Sequence, residues 1–257
     1  MARSAGRLAP VLLLLVVWEA ATRSRLVDPS FLPTVTSVLA ALWDLLRGGE
    51  IPDNLSVSIF RTVSGLALAG VVGVLLGVAM AMSRAADGFF GPLVAVTYSL
   101  PKSGLVPLLL LWFGIGNATD ITAVFLACLL PILVHAYHGV KGAPAVLLWS
   151  ARAMGTPRRA LVTRVLLPAA LPSILTGGRI ALGFAFVLTI SAEMIASTDG
   201  IGKLIFMYGE NGAYPHMFAA IAVVVTLSFL ADRGFLALTR YLLRWHEFTQ
   251  ERDGAAA

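Results

Sequence analysis

Long apolar runs separated by short polar ones dominate this chain. A bilayer-spanning helix needs about 20 mostly apolar residues, and about six stretches offer one: 8–21, 58–82, 89–113, 121–140, 171–195 and 216–238. The first is short, and the third is interrupted by Pro101 and Pro107. Between the first two lies PTVTSVLAALWDLLR (33–47), in which Val35, Val38, Leu39, Leu42, Leu45 and Leu46 recur at helical spacing. That pattern predicts an amphipathic helix lying on the outer membrane surface. The glycine-rich stretch 197–215 between the last two runs predicts a short helix flanked by loops. Neither an internal repeat nor a separate soluble domain is visible.

Composition turns the pattern into a class. Hydrophobic residues make up 58% of the 257 residues and charged ones 13%, against about 25% charged in a soluble domain. So little polar surface cannot wrap a water-soluble core, and the expectation is an all-α, polytopic membrane bundle. The single cysteine, Cys128, excludes an internal disulfide and a multi-cysteine metal site. Basic residues are scattered over short inter-span segments rather than gathered on a domain, which argues against nucleic acid as a partner.

Charge also predicts orientation. With the N-terminus inside, Arg3, Arg7, Arg84, Lys141, Arg152, Arg158, Arg159, Arg164, Arg233, Arg240 and Arg244 fall inside. Arg23, Arg25, Arg47, Arg61 and Lys203 fall outside, mixed with Asp28, Asp44, Glu50, Asp53, Asp120, Asp199 and Glu210. The positive-inside rule then places both termini in the cytoplasm. The first run also has features of a cleaved signal peptide, with a basic start and small residues at Ala20 and Ala21. Trp18 and Glu19 fit that badly, and Trp18 suits an interfacial anchor.

One inside segment stands apart. In SARAMGTPRRALVTRVLLPAALP (150–172) four arginines surround a Gly-Thr-Pro break. Pro144 suits a first helical position, Gly155 a left-handed stop, Thr156 an N-cap and Pro157 the start of a second helix that Pro168 ends or kinks. Two short helices joined at Gly155, neither able to span, make either a basic surface anchor or a docking knob for a soluble partner. The residues alone leave both open.

Here the chain resembles a known family. Gly155, nine residues, Val165, one residue, then Leu167 and Pro168 are similar to the "EAA" loop of bacterial ATP-binding-cassette (ABC) importer permeases. LPTVTSVLAALWDLL (32–46), VPLLLLWFGIG (106–116), PIL (131–133), LLPAALPSILTGGRIALG (166–183) and SAEMI (191–195) resemble the nitrate/taurine/sulfonate-type permeases. The resemblance runs from about residue 10 to 245 and implies a MetI-like type I importer core. It implies an N-terminal membrane anchor helix plus an external interfacial helix over 1–57, a permease domain over 58–245 and a flexible C-terminal tail over 246–257. It further implies that Trp149, Ser150, Ala151, Met154, Gly155, Thr156, Arg158 and Arg159 form a coupling helix and turn that dock on a separate ATPase dimer. The family's Glu-Ala-Ala falls on Trp149, Ser150 and Ala151, so the acidic residue is absent and Trp149 offers apolar contact area instead. The implied partners are that ATPase, a second permease copy, an extracytoplasmic solute-binding protein and the lipid bilayer of the bacterial inner membrane. The implied solute is a small anion such as a sulfonate, taurine or nitrate, or alternatively a vitamin precursor or other small heterocycle.

The chain lacks the phosphate loop G-x-x-x-x-G-K-[ST]; Gly200-Ile201-Gly202-Lys203 has the wrong spacing. It is therefore expected not to be an enzyme and to need no cofactor, with ATP used by the partner. Ionisable residues inside spans are functional suspects, and three qualify. Lys102, between two prolines, and Glu193, near the outer end of the fifth run, are candidates for the translocation pathway; Lys102 can also snorkel and Glu193 can be structural. Arg179 is expected to pair across helices or reach the cytoplasmic surface. His135 and His138 share a face without enough neighbours for a metal site. Gly70, Gly73, Gly77 and Ala81, and likewise Gly177, Ala181 and Ala185, form small-residue stripes that let helices approach closely. An autonomous channel or carrier remains the alternative, but it would be expected to show inverted repeats and paired intramembrane carboxylates. A membrane enzyme would need a nucleophile or metal cluster that the sequence does not present.

Overall fold

Glycines set the centre of the bundle. A computed structural model describes residues 2–28 and 31–245, with side chains from residue 9 onward. Three long helices pack at its heart: α3 (Glu50–Met82), α6 (Asn117–Lys141) and α9 (Leu167–Ala196), with α6 between the other two. On α3, a Cβ at Gly77 would lie 2.5 Å from the Leu133 carbonyl oxygen, and one at Gly65 would lie 2.6 Å from Val124. On α9, a Cβ at Gly177 would lie 2.6 Å from His135. These positions put backbone against backbone, the packing that small residues permit where lipid supplies no hydrophobic drive. The stripe on α3 is Gly65, Ala69, Gly73 and Gly77, all buried, whereas Gly70 meets nothing within 4 Å. Gly77→Ala is therefore expected to force α3 off α6, costing about 1–3 kcal/mol. Thermal melting of detergent-solubilised protein should show the loss, while Gly70→Ala melts like wild type.

The other elements wrap this trio. Helix α1 (Ala2–Arg23) leads to α2 (Val35–Arg47), whose N-cap Thr34 accepts from the Ser37 amide. One face of α2 is buried at Val38, Ala41 and Leu45 against α10 (Ile201–Glu210) and α11 (Tyr214–Leu242), closing one end of the bundle. Leu39 and Trp43, on its other side, are exposed. Trp18 is part of this cap rather than a free anchor: its indole donates to the Pro33 carbonyl at 3.0 Å and its ring sits 5.8 Å from Phe218.

Four helices are long and apolar enough to cross a membrane, and a bent pair makes a fifth candidate among the described residues. That pair is α4 (Arg84–Tyr98) and the segment 102–113, a 3-10 turn (Lys102–Leu105) followed by α5 (Val106–Phe113), bent by 94°. The first expected run, 8–21, lies within α1, whose first side chains lie outside the described residues, and the sixth, 216–238, lies within α11. The expected run 58–82 begins too late: α3 starts eight residues earlier, at Glu50, with acidic residues in its first turn.

The 150–172 segment also differs in detail from its expected form. Helix α7 (Ala145–Ala153) has Pro144 as its N-cap, and Gly155 takes φ +72°. Pro157, not Thr156, holds the N-cap position of α8 (Arg158–Leu161), without a side-chain cap bond, and the Thr156 amide donates back to the Ala151 carbonyl to close the turn. From there the chain does not break at Pro168. A π-turn (Val162–Leu166) joins α8 to α9, so 39 residues from Arg158 to Ala196 run as one element. The wide turn takes up the hydrogen bond that the missing Pro168 N–H cannot make. The expected tail, 246–257, lies outside the described residues.

Candidate functional site

Three sites emerge, one at each end of the bundle and one at its middle. At the end where α7 and α8 lie, Arg152, Arg158, Arg159 and Arg164 are all exposed, with Trp245 lining a cleft beside Arg164, and the end of α3, at Ala81 and Met82, lining another beside Arg152 and Arg158. The Gly155 turn projects here: nothing lies within 4 Å of where its Cβ would be. Trp149 is 66% and Met154 77% exposed, an apolar knob beside a basic turn. Ser150, Arg158 and Arg159 share the exposed surface, whereas Ala151 is buried and Thr156 half-buried. The Lys141 ammonium bonds Asp87 at 3.0 Å and Tyr137 Oη bonds the same carboxylate at 2.9 Å, tying the start of α4 to the end of α6. Arg179 pairs across helices, donating through Nε and Nη2 to Asp232 of α11 at 2.7 and 3.0 Å.

The opposite end holds a site that the sequence reading missed. Arg61, counted there among the outer charges, is 1% exposed inside α3, about 16 Å along the helix from Glu50. Its guanidinium meets three carboxylates: Asp120 at 3.1 Å, Glu193 at 3.1 Å and Asp199 at 2.5 Å. It also donates to Asn117 Oδ1 at 2.8 Å and to the Asp199 carbonyl at 3.0 Å. Ser58 Oγ lies 2.8 Å from both Glu193 oxygens and accepts from the Ile201 amide at 2.9 Å. The Gly202 amide donates to Glu193 at 2.9 Å, and Ser197 Oγ donates to Asp120. The Gly-Ile-Gly that vaguely suggested a phosphate loop instead seats the N-terminus of α10 on a carboxylate. A Cβ at Gly200 (φ +102°) would lie 2.4 Å from the Glu193 carboxyl, and one at Gly202 would lie 2.6 Å from the Ile190 carbonyl. Glu193 is thus fully buried in a charge cluster that clamps α3, α6, α9 and α10 together. The sequence had flagged Glu193 as an intramembrane carboxylate that can be structural, but not its partner Arg61, eleven residues into α3.

The third site lies at the break between α4 and α5. The 3-10 turn from Lys102 to Leu105, together with α6 and α9, lines a cleft of about 410 Å³. Its walls include the buried Leu130 with Pro131 of α6, and the buried Leu188 with the exposed Phe184 of α9. These sit about 12–21 Å along their helices from the clamped end, near the middle of a hydrocarbon layer about 30 Å thick. Lys102 Nζ donates to the Tyr98 carbonyl at 2.6 Å and lies 5.5 Å from the Tyr98 ring. His135, by contrast, donates from Nδ1 to the Pro131 carbonyl at 2.8 Å, and its Cβ packs where Gly177 leaves room.

Comparison with known proteins fits this geometry. A permease of the taurine transport system, TauC of Escherichia coli K12, is 35% identical over 95% of this chain and 89% of its own length. SsuC of the same organism, a putative aliphatic sulfonates transport permease, is 33% identical over 93% of this chain and 92% of its own. The Bacillus subtilis SsuC is 28% identical over 93% and 87%. An inward-facing MetNI methionine ABC transporter chain shares the fold with a TM-score of 0.63 at 20% identity, covering 78% of this chain and 96% of that one. The family model described as binding-protein-dependent transport system inner membrane component matches residues 71–243, from mid-α3 through the Gly155 turn to the end of α11, and the chain belongs to that family.

Proposed function

We propose that this permease imports small sulfonates and related organic anions, as a pair of copies driven by a separate ATPase and supplied by an extracytoplasmic binding protein. The observation that carries the reading is the exposed turn at Gly155. Apolar Trp149 and Met154 beside Arg158 and Arg159 form a surface that water alone does not favour and that a partner groove covers. The names of the relatives supply the solute class. The basic end is read as cytoplasmic by the positive-inside rule. ATP binding would close the ATPase dimer, push the two Gly155 turns together and rock the spans around the central cleft; hydrolysis would reset them. Lys102, in that cleft, is read as the cation that meets the solute. Glu193, for which the sequence left both a pathway and a structural role open, is read as part of the clamp, because Arg61 and Ser58 already occupy its carboxylate.

Copurification tests the partnership. The tagged chain, expressed in its native host and extracted in mild detergent, is expected to bring with it a soluble protein carrying the phosphate loop G-x-x-x-x-G-K-[ST]. A chain that comes out alone from membranes containing such ATPases contradicts the proposal.

A further inference from the structure

The charges around the central cleft bear on the tail of the solute, an aspect the relatives leave divided between taurine and aliphatic sulfonates. Among the twelve residues lining the cleft, Lys102 is the single charged one. Its ammonium is in no ion pair with a carboxylate among the described residues, and one of its three N–H groups is engaged by the Tyr98 carbonyl. Hydroxyls come from Tyr98, Ser103 and Ser191, and the remaining walls are apolar. The carboxylates on the same two helices, Asp120 and Glu193, are fully buried and committed to Arg61 at 3.1 Å each. The cleft therefore offers an anionic head a cation and hydroxyl donors, whereas a second, cationic group meets no carboxylate in the lining and the repulsion of Lys102.

We propose that this cleft is a binding station for sulfonates with uncharged tails, and that it disfavours sulfonates bearing an ammonium group, the class to which taurine belongs. The head sits among Lys102, Ser103 and Ser191, and the tail lies along Phe184, Leu188 and Leu130. The proposal rests on the importer reading above and adds to it a choice that the permease itself makes. Pockets of this size and lining are typical small-ligand sites, largely apolar with a few convergent polar groups.

The test uses the permease–ATPase complex in lipid nanodiscs without its binding protein, titrated calorimetrically with butane-1-sulfonate and with taurine. Butane-1-sulfonate is expected to bind at least about tenfold more tightly than taurine. Lys102→Ala should weaken butane-1-sulfonate by about tenfold or more, and Lys102→Arg should retain it. Val187→Asp, which places a carboxylate on an exposed position of the same cleft wall, should raise the affinity for taurine above the wild-type value, a gain that misfolding cannot mimic. Taurine binding as tightly as butane-1-sulfonate to wild type overturns the proposal, as does a Lys102→Ala protein that binds both unchanged, or no binding of either. In each of those cases ATP-driven uptake of the same two solutes through the binding protein decides the importer reading separately: uptake preserved leaves it standing, and uptake absent removes it as well.

Discussion

Gly155→Asp is expected to reduce ATP-driven uptake at least about tenfold while leaving the amount of folded permease in the membrane unchanged. The backbone at Gly155 has φ +72°, a left-handed conformation that costs an L-residue about 1–2 kcal/mol. Relaxing that strain swings α7, with Trp149 and Met154, relative to the arginines of α8. The new carboxylate also changes the charge of a turn flanked by Arg158 and Arg159. Because no atom lies within 4 Å of the position its Cβ would take, nothing in the core is disturbed. The measurement pairs uptake with the quantity of ATPase retained on copurification and with the melting temperature of the permease. Loss of uptake and of the ATPase at an unchanged melting temperature supports docking at this turn. Full uptake by the variant would show that the turn does not couple. Trp149→Ala is a milder companion: it removes the bulkiest exposed apolar side chain of α7 and should weaken ATPase retention without altering folding.

The second large effect is on stability and belongs to the charge clamp. Arg61→Met leaves Asp120 and Glu193, both fully buried, without their counter-charge. Breaking a buried pair by removing one partner typically costs about 3–5 kcal/mol, a large fraction of what holds a domain together. The expected result is a severe drop in folded protein and, in what remains, release of α10 from α3, because Arg61 also holds the loop at Asp199. The charge itself is tested by the triple variant Arg61→Met, Asp120→Asn, Glu193→Gln, which removes all three buried charges. It should melt higher than Arg61→Met alone. If the triple variant is as unstable as the single one, packing rather than charge accounts for the clamp.

What the sequence revealed follows from how local each signal is. Pro144, Gly155 and Pro157 act on their own backbone, so the two-helix segment with its turn was legible to within one residue, and the apolar runs were legible as helices. Pro168 misled, because a proline's missing N–H can be absorbed by a π-turn several residues earlier as well as by a break. The clamp was illegible because it joins residues 58, 61, 117, 120, 193 and 199, brought together only by the packing of α6 between α3 and α9. Placing the start of the second span at residue 58 put Arg61 near a loop and hid it among exposed charges. The cleft was half legible: Pro101 and Pro107 announced the break, but the walls from α6 and α9 that make it a cleft are distant in sequence. The departure of Trp149 from the family's glutamate is consistent with its exposed place on α7, where it adds apolar area to the knob.

The central claim is that this chain moves an anion only when a separate ATPase drives it. Proteoliposomes holding the purified permease, with and without the copurified ATPase, test that directly by accumulation of labelled butane-1-sulfonate in the presence of the binding protein. The account predicts accumulation against a gradient when ATPase and ATP are both present, and none from the permease alone. Equal accumulation by the permease alone, driven by an ion gradient and indifferent to ATP, would contradict it and identify an autonomous carrier.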